Sequence, residues 1–338
     1  MTQRVTCKSF PGLLSFFPPR LPPRRFTGWT GACVGNAPTC RLFVQGDSSV
    51  SASFEYELQT LVPNDGHNFQ ALALNSTSVF FGRWTFDGNG VWRVPKTGGA
   101  ATLVASGVPS FIVADDAFVY WTDNYSIYSA PVEGGSASLL ASTGSIGRLA
   151  LDGQGALYWA ESNLYSGTGA VHRMQDRVDA VIASGQHETG GIAVDATYAY
   201  FTCGTWDGTD RAVRRVPKKG GSVETLVTPN SVPAYVRVDS ANVYYQDWMG
   251  MWVWSKSGGA PRLLSPNSNA EFDVNDSVVW WLSFGSPPVT PNGLFRANAD
   301  GTRFASVDTA FDYSWSGPRV DDTAVYYFHE GALLRRLK

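Results

Sequence analysis

The sequence predicts an all-β protein made of seven similar units, and three observations lead to that prediction. Aromatic residues make up 13% of the chain and glycine occurs 35 times, whereas charged residues make up only 16%. This composition is typical of strands joined by tight turns. An Asp or Asn followed by two adjacent aromatic residues recurs seven times. Each recurrence lies among short segments with the residue preferences of strands.

The repeated unit is about 41 residues long, measured between successive Asp or Asn positions. The aromatic pair begins five residues after the Asp or Asn, or six residues after it in the third unit. The seven sets are Asn75 with Phe80 and Phe81, Asp115 with Tyr120 and Trp121, Asp152 with Tyr158 and Trp159, Asp195 with Tyr200 and Phe201, Asp239 with Tyr244 and Tyr245, Asn275 with Trp280 and Trp281, and Asp321 with Tyr326 and Tyr327.

Each unit contains four strand candidates, which we name A to D. Strand A ends at the Asp or Asn, strand B carries the aromatic pair, strand C reads like VWRVPK and strand D like ATLVAS. Four strands in about 41 residues indicate one blade of a β-propeller. Every blade of a propeller packs between two others, so both faces of strand B are buried. This explains why two large aromatic residues stand side by side in the sequence.

The two ends of the repeat array predict how the ring closes. The last unit ends after its strand C, at LLRRLK, whereas a spare strand of type D lies before the first unit, at residues 56–62. We expect this strand to complete the seventh blade, since an unpaired edge would otherwise remain. The prediction is therefore a seven-bladed β-propeller over residues 56–338, preceded by a small β module.

The N-terminal residues 1–25 are predicted to be a disordered tail, because the Pro-rich stretch FFPPRLPPRR suits neither a helix nor a central strand. The apolar stretch GLLSFF is too short for the core of a signal peptide, and no apolar run is long enough for a transmembrane helix. The net charge of -3 argues against a nucleic-acid partner. We expect a monomer that neither inserts into membranes nor binds nucleic acid.

Residues 26–55 are predicted to form the small β module. Cys33 and Cys40 lie seven residues apart across a loop rich in Gly, Asn and Pro, which favours a short disulfide over half a metal site. The stretch GWTGAC…C…SVSASFE resembles the end of the internalin-type B-repeat, a β module of bacterial surface and secreted proteins. The positions that carry the resemblance are Trp29, Cys33, Cys40, Val50 and Phe54. It implies a partial B-repeat and an extracellular or cell-surface location, which agrees with a disulfide.

The repeats carry a second resemblance, which covers residues 57–338. The sequence YWTD at Tyr120 to Asp123 and the units reading IAVD…YF are similar to the YWTD and NHL families of propellers. The resemblance implies the fold, because propellers serve many functions. The YWTD propellers typically have six blades, whereas seven units are present here.

The loops divide into two faces, and one of them varies strongly. The A–B and C–D turns are nearly uniform, while the B–C and D–A loops differ in length and composition, which is typical of a binding face on a constant scaffold. Trp residues lie beside carboxylates there, an arrangement suited to stacking on a sugar or to anchoring a protein partner. We predict a non-catalytic binding protein for a glycan or extracellular protein, which needs no cofactor. The candidate binding residues are Trp84, Asp87, Trp206, Asp207, Asp210, Asp247 and Trp248.

The alternative is a metal-dependent propeller enzyme, of the lyase or lactonase type. His67 and His187 lie in D–A loops, and Glu188 follows His187. These residues would hold a Ca or Mg ion at the mouth of the central channel. No established catalytic motif accompanies them, such as GxSxG, HExxH or a phosphate-binding loop.

Two further repeated residue types are expected to be structural. The Asp or Asn of each unit suits the first position of the A–B turn, where its side chain accepts backbone N–H groups. An arginine recurs on strand C, where we expect it to pack between blades or face solvent. The positions are Arg93, Arg173, Arg215, Arg296 and Arg336.

Overall fold

The computed structural model describes residues 2–7, 12–16, 24–37, 39–44, 48–56, 58–84, 88–163, 167–205, 207–266, 271–283, 293–308 and 316–338. The regular secondary structure in these ranges consists of β-strands alone. No helix in the described residues is long and apolar enough to cross a membrane. The chain divides into two compact units. One is Met1–Gln59 with Thr323–Val325 and Arg335–Lys338, and the other is Thr60–Asp322 with Tyr326–Leu334.

In its described residues, the N-terminal module contains five strands in two sheets. A disordered tail is expected over residues 1–25, whereas the structure gives strands to parts of that range, and β1 pairs antiparallel with β5. The partner of β1 lies more than forty residues away in sequence, so the local composition does not reveal this pairing. Residues 17–23 of the Pro-rich stretch lie outside the described ranges. The sheets have the orders β1-β5-β3 and β2-β4. The strands are β1 (Thr2–Cys7), β2 (Gly12–Phe16), β3 (Arg24–Gly31), β4 (Cys40–Val44) and β5 (Ser48–Tyr56).

The predicted disulfide between Cys33 and Cys40 is confirmed. Both sulfurs are in the bridge, so neither is free to bind a metal as the alternative interpretation required. Trp29 is buried next to the bridge, and its indole Nε1 donates a hydrogen bond to the Ala37 carbonyl oxygen at 2.9 Å. In the described residues the core of this module consists of the disulfide, Trp29 with Phe26 packed against it, and a few apolar side chains.

Seven four-stranded antiparallel sheets form the ring of blades, as predicted. In chain order the first blade is β7 (Asn68–Leu74), β8 (Ser78–Trp84), β9 (Gly90–Pro95) and β10 (Thr102–Ser106); the second is β11 (Phe111–Ala114), β12 (Phe118–Thr122), β13 (Ser126–Pro131) and β14 (Ser138–Ser142); the third is β15 (Ser145–Leu151), β16 (Leu157–Asn163), β17 (Thr168–Gln175) and β18 (Val178–Gln186); the fourth is β19 (Ile192–Val194), β20 (Tyr198–Cys203), β21 (Ala212–Pro217) and β22 (Glu224–Val227).

The remaining blades follow the same order of strands, except that the last takes its outer strand from the N-terminal side. The fifth blade is β23 (Tyr235–Val238), β24 (Asn242–Asp247), β25 (Gly250–Ser255) and β26 (Arg262–Pro266); the sixth is β27 (Phe272–Asn275), β28 (Val278–Ser283), β29 (Gly293–Asn298) and β30 (Ala305–Asp308); the seventh is β31 (Arg319–Val320), β32 (Ala324–His329), β33 (Ala332–Leu337) and β6 (Leu58–Val62). The expected closure by the spare strand is confirmed.

The aromatic pairs are buried on both faces of strand B. Of the fourteen residues only Tyr120 is partly exposed, and the other thirteen are buried. Within one blade the rings also stack across to strand C, as Trp121 does on Tyr128 with centroids 5.7 Å apart. The pairs therefore form the interfaces between blades and need no ligand to explain them.

The repeated Asp or Asn caps the A–B turn, as expected. In the fourth blade one carboxylate oxygen of Asp195 accepts the backbone N–H groups of Thr197 and Tyr198, both at 2.8 Å. The other oxygen accepts the hydroxyl of Tyr200 at 2.7 Å and Lys256 Nζ, from the fifth blade, at 2.7 Å. The same lysine clamp joins Lys218 to Asp152 and Lys96 to Asp321, each at 2.8 Å.

Three of the strand C arginines, Arg93, Arg215 and Arg296, pair with carboxylates or lie over aromatic rings, and Arg173 Nε donates to the Tyr158 hydroxyl at 3.0 Å. Arg93 forms a bidentate ion pair with Glu133 of the next blade, in which Nη1 donates to Oε1 at 2.6 Å and Nη2 donates to Oε2. Arg215 pairs with Glu224 at 2.8 Å and lies over the ring of Tyr198. These contacts agree with a packing function.

Candidate ligand-binding site

A cavity of about 720 Å³ opens among the B–C and D–A loops of the third, fourth and fifth blades. We name it the loop cavity. Its wall combines charged side chains, small apolar side chains and backbone exposed at glycines. Among the residues of the wall are Glu188, Asp207, Arg211, Val232, Asp247 and Trp248. Four of the residues predicted from the sequence therefore meet at one place.

Trp248 lies at the tip of the turn between β24 and β25. Its side chain is 65% exposed, whereas Asp247, the residue before it, is only 1% exposed. Asp247 Oδ1 accepts the backbone N–H groups of Met249 at 2.9 Å and Gly250 at 3.1 Å, and the indole N–H of Trp252 at 3.0 Å. The buried carboxylate thus holds a tight turn that presents Trp248 to solvent.

Asp247 also has an altered acidity. Burial raises its pKa above the ordinary value, although the three N–H donors on Oδ1 act in the opposite direction. All three bonds end on the same oxygen. Because the residue lines the loop cavity, its carboxyl group is a candidate hydrogen-bond partner for a ligand hydroxyl.

Asp207 belongs to the loop between β20 and β21. Its Oδ1 accepts the backbone N–H of Thr209 at 2.9 Å and the hydroxyls of Thr205 and Thr209. These hydrogen bonds, above all the one from Thr205, lower the pKa of Asp207 to about 2. The carboxylate is thus ionised and held in place at the cavity wall. Its neighbour Trp206 lies outside the described residues, as does Asp87 in the first blade.

Asp210 belongs to the same loop but does not line the loop cavity. Its carboxylate contacts His187 Nδ1 at 2.8 Å and forms a two-point ion pair with Arg214, whose Nη1 is 3.1 Å from Oδ2. Arg214 Nη1 also donates to Gln186 Oε1 at 2.8 Å. The network ties the D–A loop of the fourth blade to its B–C loop, and it places Glu188 at the cavity wall.

The histidines of the enzyme alternative are occupied by charged neighbours. His67 Nδ1 lies 2.7 Å from Asp65 Oδ1 and 2.8 Å from Arg83 Nη2, in the first blade. His187 contacts Asp210 in the fourth. Among the described residues no group of three or more His, Cys, Asp or Glu side chains is arranged to hold a metal ion. Trp84, at the end of β8, is 47% exposed and lies outside the loop cavity.

A second cluster lies in the central channel and was not predicted from the sequence. We name it the channel cluster: Arg148, Arg237, Glu271, Asp273 and Arg319. Glu271 Oε1 receives Arg319 Nη2 at 2.8 Å, Arg148 Nη1 at 3.0 Å and Arg237 Nη2 at 3.1 Å. The four blades that supply these residues are the third, fifth, sixth and seventh.

The acidity of Glu271 reflects its arginine partners. Burial alone would raise its pKa, but the charges of Arg148, Arg319 and Arg237, with the N–H of Gly317, outweigh burial and hold it well below the ordinary value. Asp273 adds a second carboxylate, with Oδ1 3.4 Å from Arg237 Nε. Glu271 is therefore an anion within this cluster.

A sequence signal for the channel cluster exists in retrospect. Strand A lines the channel and is mostly uncharged, yet Arg237, Asp273 and Arg319 each lie two residues before the repeat Asp or Asn. Arg148 lies four residues before it, and a bulge in the pairing of β15 with β16 lies at that point. A charge at an inward position of an inner strand is the feature that marks the site.

Comparison with known proteins supports the fold and nothing finer. No protein-family model matches the chain, and no curated protein is similar to it in sequence. Among solved structures the chain is similar to an oligogalacturonate lyase from Vibrio parahaemolyticus, with 10% identity and a TM-score of 0.64 over 84% of this chain and 97% of that one. It is also similar to the WD40 propeller domain of Doa1, with 13% identity and a TM-score of 0.60 over 84% of this chain and 96% of that one.

A third similar structure is YCF48 bound to a D1 peptide, with 11% identity and a TM-score of 0.58 over 84% of this chain and 95% of that one. An enzyme, a propeller domain and a peptide-bound protein thus share this architecture. At such low identity the likeness concerns the fold, so function has to be argued from the residues of this chain.

Proposed function

We propose that the protein is an exported binding propeller that takes a glycan in the loop cavity, with Trp248 as the stacking platform. The observation that carries the proposal is an indole that is 65% exposed at the edge of a cavity of about 720 Å³. A large exposed aromatic side chain in a turn that the protein holds rigidly is suited to an apolar sugar face.

The polar groups of the cavity complete the match with a sugar. Glu188, Asp207 and Asp247 supply carboxyl oxygens that accept hydrogen bonds from hydroxyls, and Arg211 supplies donors. Arg211 is anchored at the rim, because its Nη1 donates to the Asn230 carbonyl oxygen. Val232 adds an apolar patch to the wall. The combination of an exposed indole, several acceptors and a cation fits a hydroxyl-rich ligand better than a flat protein surface.

Binding is favoured over catalysis because the two histidines of the enzyme alternative lie in different blades. His67 lies beside Asp65 and Arg83 in the first blade, whereas His187 contacts Asp210 in the fourth. In the part of the chain that the structure describes, no group of three or more His, Cys, Asp or Glu side chains is arranged to hold a metal ion. Export agrees with the disulfide between Cys33 and Cys40 and with the resemblance of its surroundings to a B-repeat.

The test is a glycan array with wild-type protein and two tryptophan variants. Trp248→Ala should lower the affinity for the bound glycan by at least about tenfold, as loss of an aromatic anchor does. Trp84→Ala is the matched control, because Trp84 is an exposed tryptophan outside the loop cavity, and it should bind like wild type. EDTA should leave binding unchanged.

Three outcomes would overturn the proposal. One is equal binding by wild type and Trp248→Ala. Another is the absence of glycan binding together with capture of an extracellular protein that Trp248→Ala abolishes, which would make the cavity a protein interface. The third is loss of all binding with EDTA, which would return attention to a metal-dependent function.

A further inference from the structure

The channel cluster carries more positive than negative charge. It contains three arginines and two carboxylates, and these residues line a cavity of about 360 Å³, which we name the channel cavity. Among the described residues, no other charged side chain lines this cavity. The side chains are shielded from solvent, since the exposed fractions are 13% for Arg148, 20% for Arg237, 15% for Arg319 and 5% for Glu271. One positive charge therefore remains uncompensated in an environment where charges interact strongly.

The guanidinium of Arg148 has donors to spare. It is sandwiched between the rings of Phe111 at 4.4 Å and Tyr235 at 4.0 Å, which fixes its plane. A guanidinium carries five N–H donors, and within the described part of the chain only Nη1 finds an acceptor, on Glu271. The residue lines the channel cavity. A rigid, partly unpaired guanidinium beside an open volume is suited to bind an anion.

The other two arginines differ, because each also holds its own strand. Arg237 Nη1 donates to the Val236 carbonyl oxygen, and Arg319 Nη1 donates to that of Pro318, each at 3.0 Å. Their guanidiniums are thereby fixed at the edge of the same cavity. Three preorganised cations around one volume lower the cost of ordering a bound anion.

We propose that the channel cavity binds a small monocarboxylate, held by Arg148 with Arg237 and Arg319 beside it. The carboxylate group matches the planar fork of a guanidinium. A single negative charge neutralises the surplus of the cluster. The volume accommodates a small organic acid and excludes a polymer. The site is distinct from the loop cavity, although Tyr235, whose ring lies over Arg148, also lines the loop cavity.

The alternative is that the cluster only joins four blades across the channel. Under that interpretation Glu271 stabilises the fold through its ion pairs, and the surplus charge is neutralised by solvent ions without preference. The two interpretations differ in their response to a specific anion at constant ionic strength, and this can be measured in the full-length protein.

The experiment follows the melting temperature against sodium acetate, with sodium chloride added to keep the ionic strength constant. Acetate should raise the melting temperature of wild type saturably, because it binds the folded state. Arg148→Gln should weaken the apparent acetate affinity by about tenfold or more. Arg93→Gln, which removes an arginine that pairs with Glu133 outside the channel, should respond like wild type.

If Arg148→Gln does not fold, the variant Glu271→Gln still tests the proposal. It removes one negative charge, so acetate should stabilise this variant more strongly than wild type and recover part of its lost melting temperature. The proposal is overturned when acetate and chloride act alike on wild type and Glu271→Gln, or when Arg93→Gln loses the response as well. A larger response to inorganic phosphate than to acetate would assign the site to a phosphate in place of a carboxylate.

Discussion

The repeat carboxylate links a turn, an aromatic ring and a neighbouring blade. Burial alone would raise the pKa of Asp195, but hydrogen bonds from Lys256, Tyr198 and Tyr200 lower it to about 2. The carboxylate is therefore ionised at neutral pH and holds donors from two blades. The hydrogen bond between Asp195 and Tyr200 explains why an Asp recurs in the repeat together with a Tyr as the first residue of the aromatic pair.

Replacement of Asp195 by Ala should lower the free energy of unfolding by about 3 kcal/mol, because Lys256 and Tyr200 lose their shared acceptor inside the ring. Asp115→Ala is the control. Asp115 accepts the equivalent turn N–H groups of Ala117 and Phe118, but no lysine pairs with it among the described residues. Urea unfolding followed by tryptophan fluorescence measures both. Equal losses for the two variants would show that the lysine clamp adds no stability.

At the scale of elements, the inner strands approach each other more closely than side chains allow. Gly147 lies in the bulge of β15, and the N–H of the following Arg148 donates to the Gly190 carbonyl oxygen at 3.2 Å. A β-carbon on Gly147 would lie 2.5 Å from that oxygen. The bulge therefore requires glycine, and it turns Arg148 towards the channel, where the channel cluster forms.

Gly147→Ala should destabilise the protein by about 2 kcal/mol, since the strand must shift away from a backbone atom. Gly190→Ala is a matched control on the other side of the same contact. Its β-carbon would meet Thr202 Oγ1 at 3.6 Å and the Ala234 carbonyl oxygen at 3.8 Å, which are ordinary contacts. A change of less than about 1 kcal/mol is expected there. Thermal melts of the two variants test the close approach, and similar melting temperatures would contradict it.

At the scale of the molecule, the ring depends on the pairing of strands that are distant in sequence. The seventh blade takes β6 as its outer strand, after β31, β32 and β33. On the opposite side of the blade junction, Lys96 of the first blade pairs with Asp321 of the seventh. The first and last blades are thus joined by the same lysine–aspartate pair that joins other neighbouring blades.

Leu61→Ala in β6 should lower the stability of the whole ring by about 3 kcal/mol, because Leu61 is only 4% exposed and its removal leaves a cavity. Leu58 in the same strand is 49% exposed, and Leu58→Ala should cost less than about 0.5 kcal/mol. Circular dichroism and fluorescence should report one coincident transition in each variant. A separate early transition in Leu61→Ala would mean that closure stabilises the seventh blade alone.

The sequence by itself determined the number of blades, the path of each blade and the closure of the ring. The repeat has a regular period, and burial on both faces of strand B leaves a local signature in the aromatic pairs. It also determined the disulfide, whose cysteines are close in the chain, and the face on which the loop cavity opens. The blades and the disulfide depend on residues near one another in sequence, whereas the closure follows from an unmatched strand at each end of the repeat array.

Only the tertiary structure decided which candidate residues meet. It placed Glu188, Asp207, Asp247 and Trp248 around one cavity, put Trp84 elsewhere and turned Asp210 towards His187 and Arg214. It also assembled the channel cluster from single charges in strands up to 171 residues apart, from Arg148 to Arg319. Local pattern cannot show such pairings, because the ring, and not the chain, brings the inner strands together.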